Sequence, residues 1–100
     1  MDGFTALADP TRRKIVELLA EGPMDAGSLA DQFTVSRPAI SRHLKVLREA
    51  GVVRRTVDAQ RRIYEIDTTG LDEVAMWVQR YRSFWMARLD RLEEAAKERS

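Results

Sequence analysis

Along most of the chain the apolar residues stand three or four positions apart, and only one stretch gathers β-branched residues into short extended runs. Phe4 to Ala8 reads as a short helix. Asp9-Pro10 opens a second one: the aspartate caps it, and the proline takes the first helical position, where a missing N–H costs nothing. Ile15, Leu18 and Leu19 form its inner face, and Gly22-Pro23 stops it. Met24 leads as a short extended segment into a third helix, capped by Asp25, with Leu29, Ala30 and Phe33 facing inward. After the turn Thr34-Val35-Ser36, Ser36 stands where a cap belongs. Val35 and Ile40 hold the positions of a hydrophobic staple, and Pro38 is tolerated in the first turn. Ile40, Leu44 and Leu47 repeat at four and three, and Gly51 ends this fourth helix as a left-handed cap.

Val52 to Val57 and Arg62 to Ile66 are arginine-rich extended runs joined by Asp58-Ala59-Gln60-Arg61, which predicts a hairpin. Val53, Tyr64 and Ile66 are expected to face the core. Thr69-Gly-Leu-Asp72 has the form of a capping box and opens the longest helix, from Gly70 to about Lys97, roughly 40 Å long. The expected fold is mainly α with a small β-hairpin, in one domain over residues 1–100. Residues 25–51 form a helix–turn–helix, 52–67 a wing and 70–97 a C-terminal helix.

That last helix has more apolar surface than its own domain can cover. Leu71, Val74, Val78, Tyr81, Trp85 and Leu92 follow one stripe, widened by Leu89, with Trp77 and Phe84 on its flank. Leaving such side chains wet forfeits roughly 1.5–3 kcal/mol each. The pattern therefore predicts a homodimer whose shared core takes Phe4 and Leu7 from the first helix and Leu71, Val74, Val78, Tyr81, Trp85 and Leu89 from the last. A cofactor pocket lined by Trp77, Phe84 and Trp85 is the alternative use of the same aromatics; no cofactor is expected.

Composition narrows the chemistry. The 100 residues include no cysteine and one histidine, which excludes disulfides, thiolate metal sites and multi-histidine clusters. There is no catalytic constellation: Ser41 and His43 are two apart on a helix and do not face each other. No apolar run is long enough to span a membrane. The opening MDGFTALADPTRRK lacks a basic-then-apolar signal layout, which predicts a cytoplasmic protein.

The net charge of +1 conceals a segregation. Between Val35 and Tyr64 eight basic residues face only Glu49 and Asp58, while acids predominate elsewhere. Such a local excess is the footprint of a polyanion site. Two short helices, a tight turn, a basic second helix and a hairpin form a winged helix–turn–helix. Its second helix suits a DNA major groove about 12 Å wide. Arg37 and Arg42 are the best base readers, because a guanidinium bonds guanine O6 and N7 together. Ser36, Ser41 and Lys45 are expected on phosphates or in mixed contacts, beside Pro38 in the first turn. His43 is expected to be structural or phosphate-bonding. Arg54, Arg55, Arg61 and Arg62 surround the wing, but strand neighbours alternate faces, so not all four reach DNA. Arg12, Arg13 and Lys14 stand where a helix dipole disfavours cations, and are expected to pair with acids or a phosphate.

ALADPTRRKIVELLAEGP, SLADQFTVSRPAISRHLKVLREAGVV and RRIYEID together resemble the ArsR/SmtB family of bacterial winged-helix repressors, over roughly Phe4 to Asp67. The tail WVQRYRSFWMARLDRLEE is similar to one branch, whose members are often encoded beside lipid-pocket proteins of the Hsp90-ATPase-activator-like class. The resemblance implies a dimer that binds an inverted repeat in double-stranded DNA and represses its own promoter. It places Ser36, Arg37, Pro38, Ser41, Arg42 and His43 in the recognition motif, and the first and last helices in the dimer interface. The chain departs from metal-sensing members, since Met24-Asp25-Ala26-Gly27-Ser28-Leu29 holds no soft ligand and the last helix no histidine. A non-metal-sensing regulator, open to an unknown small-molecule effector, is expected. The competing reading is a winged-helix protein-interaction module that uses the aromatic arc and binds no DNA.

Overall fold

The structure, a computed structural model, describes residues 2–99. Eight elements follow one another: α1 (Gly3–Ala6), α2 (Pro10–Leu19), β1 (Met24–Asp25), α3 (Ala26–Asp31), α4 (Arg37–Glu49), β2 (Val53–Asp58), β3 (Arg61–Ile66) and α5 (Thr68–Arg99). Each early boundary has a local cause. Asp9 accepts from the backbone N–H groups of Thr11 (2.8 Å) and Arg12 (3.1 Å), with Pro10 leading the helix. Ser36 accepts from the Ala39 N–H (3.2 Å). Gly51 closes α4 at φ 76°, in the left-handed region glycine favours.

Several boundaries differ from expectation. α1 starts at Gly3, because Asp2 caps it through the Thr5 N–H (2.7 Å), and it ends at Ala6. α5 starts at Thr68: Asp67 accepts from the Thr69 N–H (3.0 Å), so Thr69 is already helical and cannot open a capping box with Asp72. The hairpin loop is shorter than the four residues expected, since Asp58 pairs with Arg61 and leaves only Ala59-Gln60 between the strands. Val35 stays 43% exposed, while Ile40 is buried.

The extended Met24 segment becomes a third strand. β1 pairs antiparallel with β3, Met24 opposite Tyr64, giving the order β1-β3-β2. The core forms where α2, α3 and α4 close over this sheet. Ile15, Leu29, Ile40, Leu44, Leu47, Val52 and Val53 are fully buried there, and Tyr64 nearly so. At roughly 1.5–3 kcal/mol per side chain, this cluster is what holds α4 in place. Leu7 and Leu71 also pack against it.

α5 departs from this body. Its 32 residues span about 48 Å. The radius of gyration is 18.5 Å and the longest extent 67 Å, against about 13 Å expected for the radius of a compact 100-residue domain. Only its first turns are packed. Gly70 donates to the Gly51 carbonyl (2.9 Å) so closely that an added Cβ would stand 2.5 Å from that oxygen.

Candidate nucleic-acid interface

The core sets the face that α4 presents. With Ile40, Leu44 and Leu47 buried, helical geometry turns Pro38, Ser41, Arg42 and Lys45 outward, while Arg37 stands in the first turn on the side of Ile40 and Leu44 and reaches toward Asp31; all five are exposed. His43 is half-buried at the edge of this strip. Ser36 is exposed at its start, but its oxygen already serves as the helix cap; its hydroxyl hydrogen remains for another acceptor.

Strand register sorts the wing arginines into two pairs. Arg54 and Arg61 share one face of the hairpin with Ile63 and Glu65. Each meets a carboxylate there: Arg54 Nε donates to Glu65 Oε1 (2.8 Å), and Arg61 lies 3.9 Å from Asp25. Glu65 pushes the Arg54 guanidinium pKa upward. A hydrogen bond from the Ser28 hydroxyl holds the Asp25 carboxyl below the usual aspartate range, with Arg61 adding to the effect. Arg55 and Arg62 share the other face, with Val53 and Tyr64, and extend past the core into solvent. Among the described residues no ion pair involves Arg42, Arg55 or Arg62.

The remaining cations of the face are loosely held. Arg37 lies 3.3 Å from Asp31 and Lys45 4.0 Å from Glu49, all strongly exposed. Exposed pairs of this kind stabilise by about 0–1 kcal/mol, so a phosphate competes with them easily. The face from α4 to the wing tip therefore carries arginines that are either unpaired or weakly paired, with no acid buried beneath them.

Of the three cations at the start of α2, Lys14 meets an acid, Glu17, at 3.9 Å, whereas among the described residues Arg12 and Arg13 form no ion pair. Arg13 Nη1 donates to the carbonyls of Leu7 (3.2 Å) and Ala8 (3.1 Å), and Arg12 Nε donates to the Ala6 carbonyl. These cations stand at the start of α2 because the end of α1 needs donors. Arg12 also reaches His43, with Nη1 3.4 Å from Nδ1. No spacing rule joins residues 12 and 43, so this contact was invisible in the sequence.

A second exposed face, apolar instead of cationic, belongs to α5. From residue 76 onward nine large apolar side chains are exposed, among them Trp77, Tyr81, Phe84, Trp85 and Leu89, each between 42% and 51%. Of the residues expected in a dimer core, Val78, Tyr81, Trp85, Leu89 and Phe4 lie open. Val74 is half-buried, and Leu7 and Leu71 are largely used by their own domain. Trp77 is more than a flank: it meets Phe4 at 4.4 Å between ring centroids and stacks on Tyr81 at 4.1 Å. Among the described residues no helix is long and apolar enough to cross a membrane. Among the described residues no group of three or more His, Asp or Glu side chains is placed to hold a metal ion.

Comparison with known proteins points the same way. The profile described as "Bacterial regulatory protein, arsR family" matches residues 9–55. The chain is 54% identical to the HTH-type transcriptional regulator Rv2034 of Mycobacterium tuberculosis over 68% of its length, and spans 64% of that protein. It is 43% identical to the transcriptional repressor SdpR of Bacillus subtilis, covering 75% of this chain and 83% of that one. Among solved structures, a possible transcriptional regulator for arsenical resistance superposes with a TM-score of 0.78 at 42% identity, covering 92% and 93% of the two chains. The homodimeric winged helix–turn–helix DNA-binding domain Mb0332 of Mycobacterium bovis superposes at 0.66 and 25% identity, covering 81% of this chain and 75% of that one. By sequence and by shape, this chain belongs to the ArsR family of bacterial regulatory proteins.

Proposed function

We propose that two copies of this chain form one DNA-reading unit that represses transcription from the site it covers. The observation that carries the reading is the outward face of α4, where Pro38, Ser41, Arg42 and Lys45 are all exposed over a fully buried stripe, with Arg37 exposed in the first turn. Arg37 and Arg42 read base edges. Ser36, Ser41, His43 and Lys45 meet phosphates. Arg55 and Arg62 hold the flanking backbone at the wing, while Arg54 and Arg61 assist only by exchanging Glu65 and Asp25 for phosphate.

The second copy follows from α5, whose apolar residues have no cover in their own chain. A two-fold axis through paired α5 helices, with α1 alongside, sets two copies of α4 into successive major grooves about 34 Å apart, on an inverted repeat. With no thiolate in the chain, we read it as a regulator that does not answer to soft metals. An effector that released the operator would act on the contacts that set this spacing, between α1 and α5 or at the Gly51–Gly70 junction. A regulator of this kind works in the cytoplasm, where its promoter lies.

Footprinting on the DNA upstream of its own gene, with light scattering for mass, tests the proposal. The expected result is a dimer protecting two half-sites, with affinity falling steeply as salt rises. Arg42→Ala should lose about 1–3 kcal/mol and relax specificity at one position, whereas Arg55→Ala should weaken all sequences alike. A monomer that ignores DNA, or a salt slope near zero, would count for the protein-interaction reading instead.

A further inference from the structure

The guanidinium of Arg12 touches two other helices at once. Nε donates to the Ala6 carbonyl at the end of α1, and Nη1 stands 3.4 Å from Nδ1 of His43 on α4. A guanidinium has donors only, so Nδ1 must act as the acceptor in this pair. A proton on Nδ1 would point at another N–H. The neutral ring therefore carries its proton on Nε2, across the ring from Arg12. Nε2 has no hydrogen-bond partner among the described residues, and none of their side-chain nitrogens or oxygens is buried without one, so Nε2 meets solvent.

We propose that Arg12 is a positioning residue for DNA binding: it fixes the tautomer and orientation of His43, so that the Nε2–H is offered to a backbone phosphate. The inference rests on the reading of α4 as the DNA-facing helix. A phosphate fits better than a base edge, because His43 lies half-buried at the margin of the strip whose exposed centre is Ser41, Arg42 and Lys45. The carbonyl that steadies the guanidinium belongs to α1, the helix whose Phe4 packs on Trp77 of α5. The donor is thereby tied to the dimer side of the molecule as well as to α4.

Substitutions at His43 separate the work of its two nitrogens. His43→Asn keeps an acceptor near the Nδ1 position and so keeps the partner of Arg12, but it lacks the outer donor. His43→Gln places a donor near the Nε2 position and needs no tautomer. Affinities are measured for the duplex that the wild type protects upstream of its own gene and for a mixed-sequence duplex, with melting temperatures as the check on folding. His43→Asn should weaken both duplexes alike, by roughly ten- to a hundredfold, the range for one hydrogen bond to a charged group. His43→Gln should retain most of the affinity. Arg12→Ala should weaken the wild type but add nothing in the His43→Asn background. Additive losses, with the salt slope falling by about one on Arg12→Ala, would show Arg12 to be a phosphate contact itself and overturn the proposal.

The chain has a single histidine, so imidazole 15N spectra report this ring alone. The free protein should show an unprotonated Nδ1 with Nε2–H, and the Nδ1–H form should rise in Arg12→Ala. A wild-type ring protonated on Nδ1 overturns the proposal whatever the DNA results. A wild type that binds neither duplex overturns the DNA-facing role of α4 itself, and this inference with it, while the 15N spectra still report whether Arg12 and His43 are paired.

Discussion

α4 and α5 are both amphipathic helices, yet the chain buries the apolar face of only one. Ile40, Leu44 and Leu47 of α4 lie at 1% exposure or less, and what is left outside is cationic and polar. On α5 everything apolar beyond the first two turns is outside, Trp77 and Trp85 included. The two free surfaces therefore ask for opposite partners. One is wet and positive and suits a polyanion; the other is aromatic and suits a surface like itself. Joining the functions in one chain requires a fixed geometry between the helices, and the Gly51–Gly70 contact supplies it at their junction.

The contrast breaks most visibly in the core. Leu44→Ala should destabilise the protein by about 2–5 kcal/mol, read by denaturant unfolding at any protein concentration. Trp85→Ala should act elsewhere: it should shift the sedimentation profile toward monomer and remove the concentration dependence of the melting temperature. If Trp85→Ala left the mass unchanged and lowered stability like Leu44→Ala, α5 would be packing on its own body, and the distinction between the helices would be lost.

Most of the body was legible in the sequence because its signals are local. Asp9-Pro10, Ser36 and Gly51 each determine a helix end through groups within three residues, and the 4-and-3 repeat of Ile40, Leu44 and Leu47 marks the buried stripe directly. The same locality explains the misses. Asp67 displaces the capping box expected at Thr69, because the start of α5 depends on where β3 ends. Arg12 with His43, and Phe4 with Trp77, are contacts between distant elements that share no spacing. Register divided the four wing arginines into Arg54 with Arg61 and Arg55 with Arg62. Alternation foretold that they would divide, and which pairs form follows from the register, with Val57 opposite Arg62, the residues that end and begin the two expected runs.

The junction gives the next test. An alanine Cβ at position 70 would meet the Gly51 carbonyl oxygen at 2.5 Å and the Ala50 carbonyl oxygen at 2.8 Å, both backbone atoms that cannot rotate aside. Gly70→Ala should cost about 1–3 kcal/mol through forced displacement of α5 against α4. In the proposed dimer that displacement changes the spacing of the two α4 helices, so operator affinity should fall further than dimer stability. An equal fall in affinity for operator and for mixed-sequence DNA would mean that the junction does not set the spacing.

Acid should separate the helices in another way. Backbone N–H donors hold Asp2, Asp9 and Asp67 below the ordinary aspartate value: chiefly Thr5 for Asp2, Arg12 for Asp9 and Thr69 for Asp67. The unfolded chain then binds these protons more readily than the native one. Their contribution is complete above the ordinary aspartate range near about 4, and is lost as the pH falls through and below it. They cap α1, α2 and α5, whereas α4 is capped by Ser36, which does not titrate. Amide exchange at low pH should loosen the starts of α2 and α5 before that of α4. Simultaneous loosening of all three would assign acid sensitivity to the core instead of the caps.

The smallest effect is expected at the wing tip. Ala59 is the one non-glycine residue among those described with a positive φ, 56°, because a two-residue loop must turn with the twist of its strands. A side chain there costs about 1–2 kcal/mol relative to the right-handed region. Glycine removes that strain but loses about 0.5–1 kcal/mol more on ordering. Ala59→Gly should thus stabilise by about 0.5 kcal/mol, a rise of roughly 2–4 °C in a domain of this size. Its effect on DNA affinity should be near zero, since the substitution leaves Arg55 and Arg62 in register. A loss of affinity without a loss of stability would show that the stiffness of the tip, beyond its charge, takes part in holding the duplex.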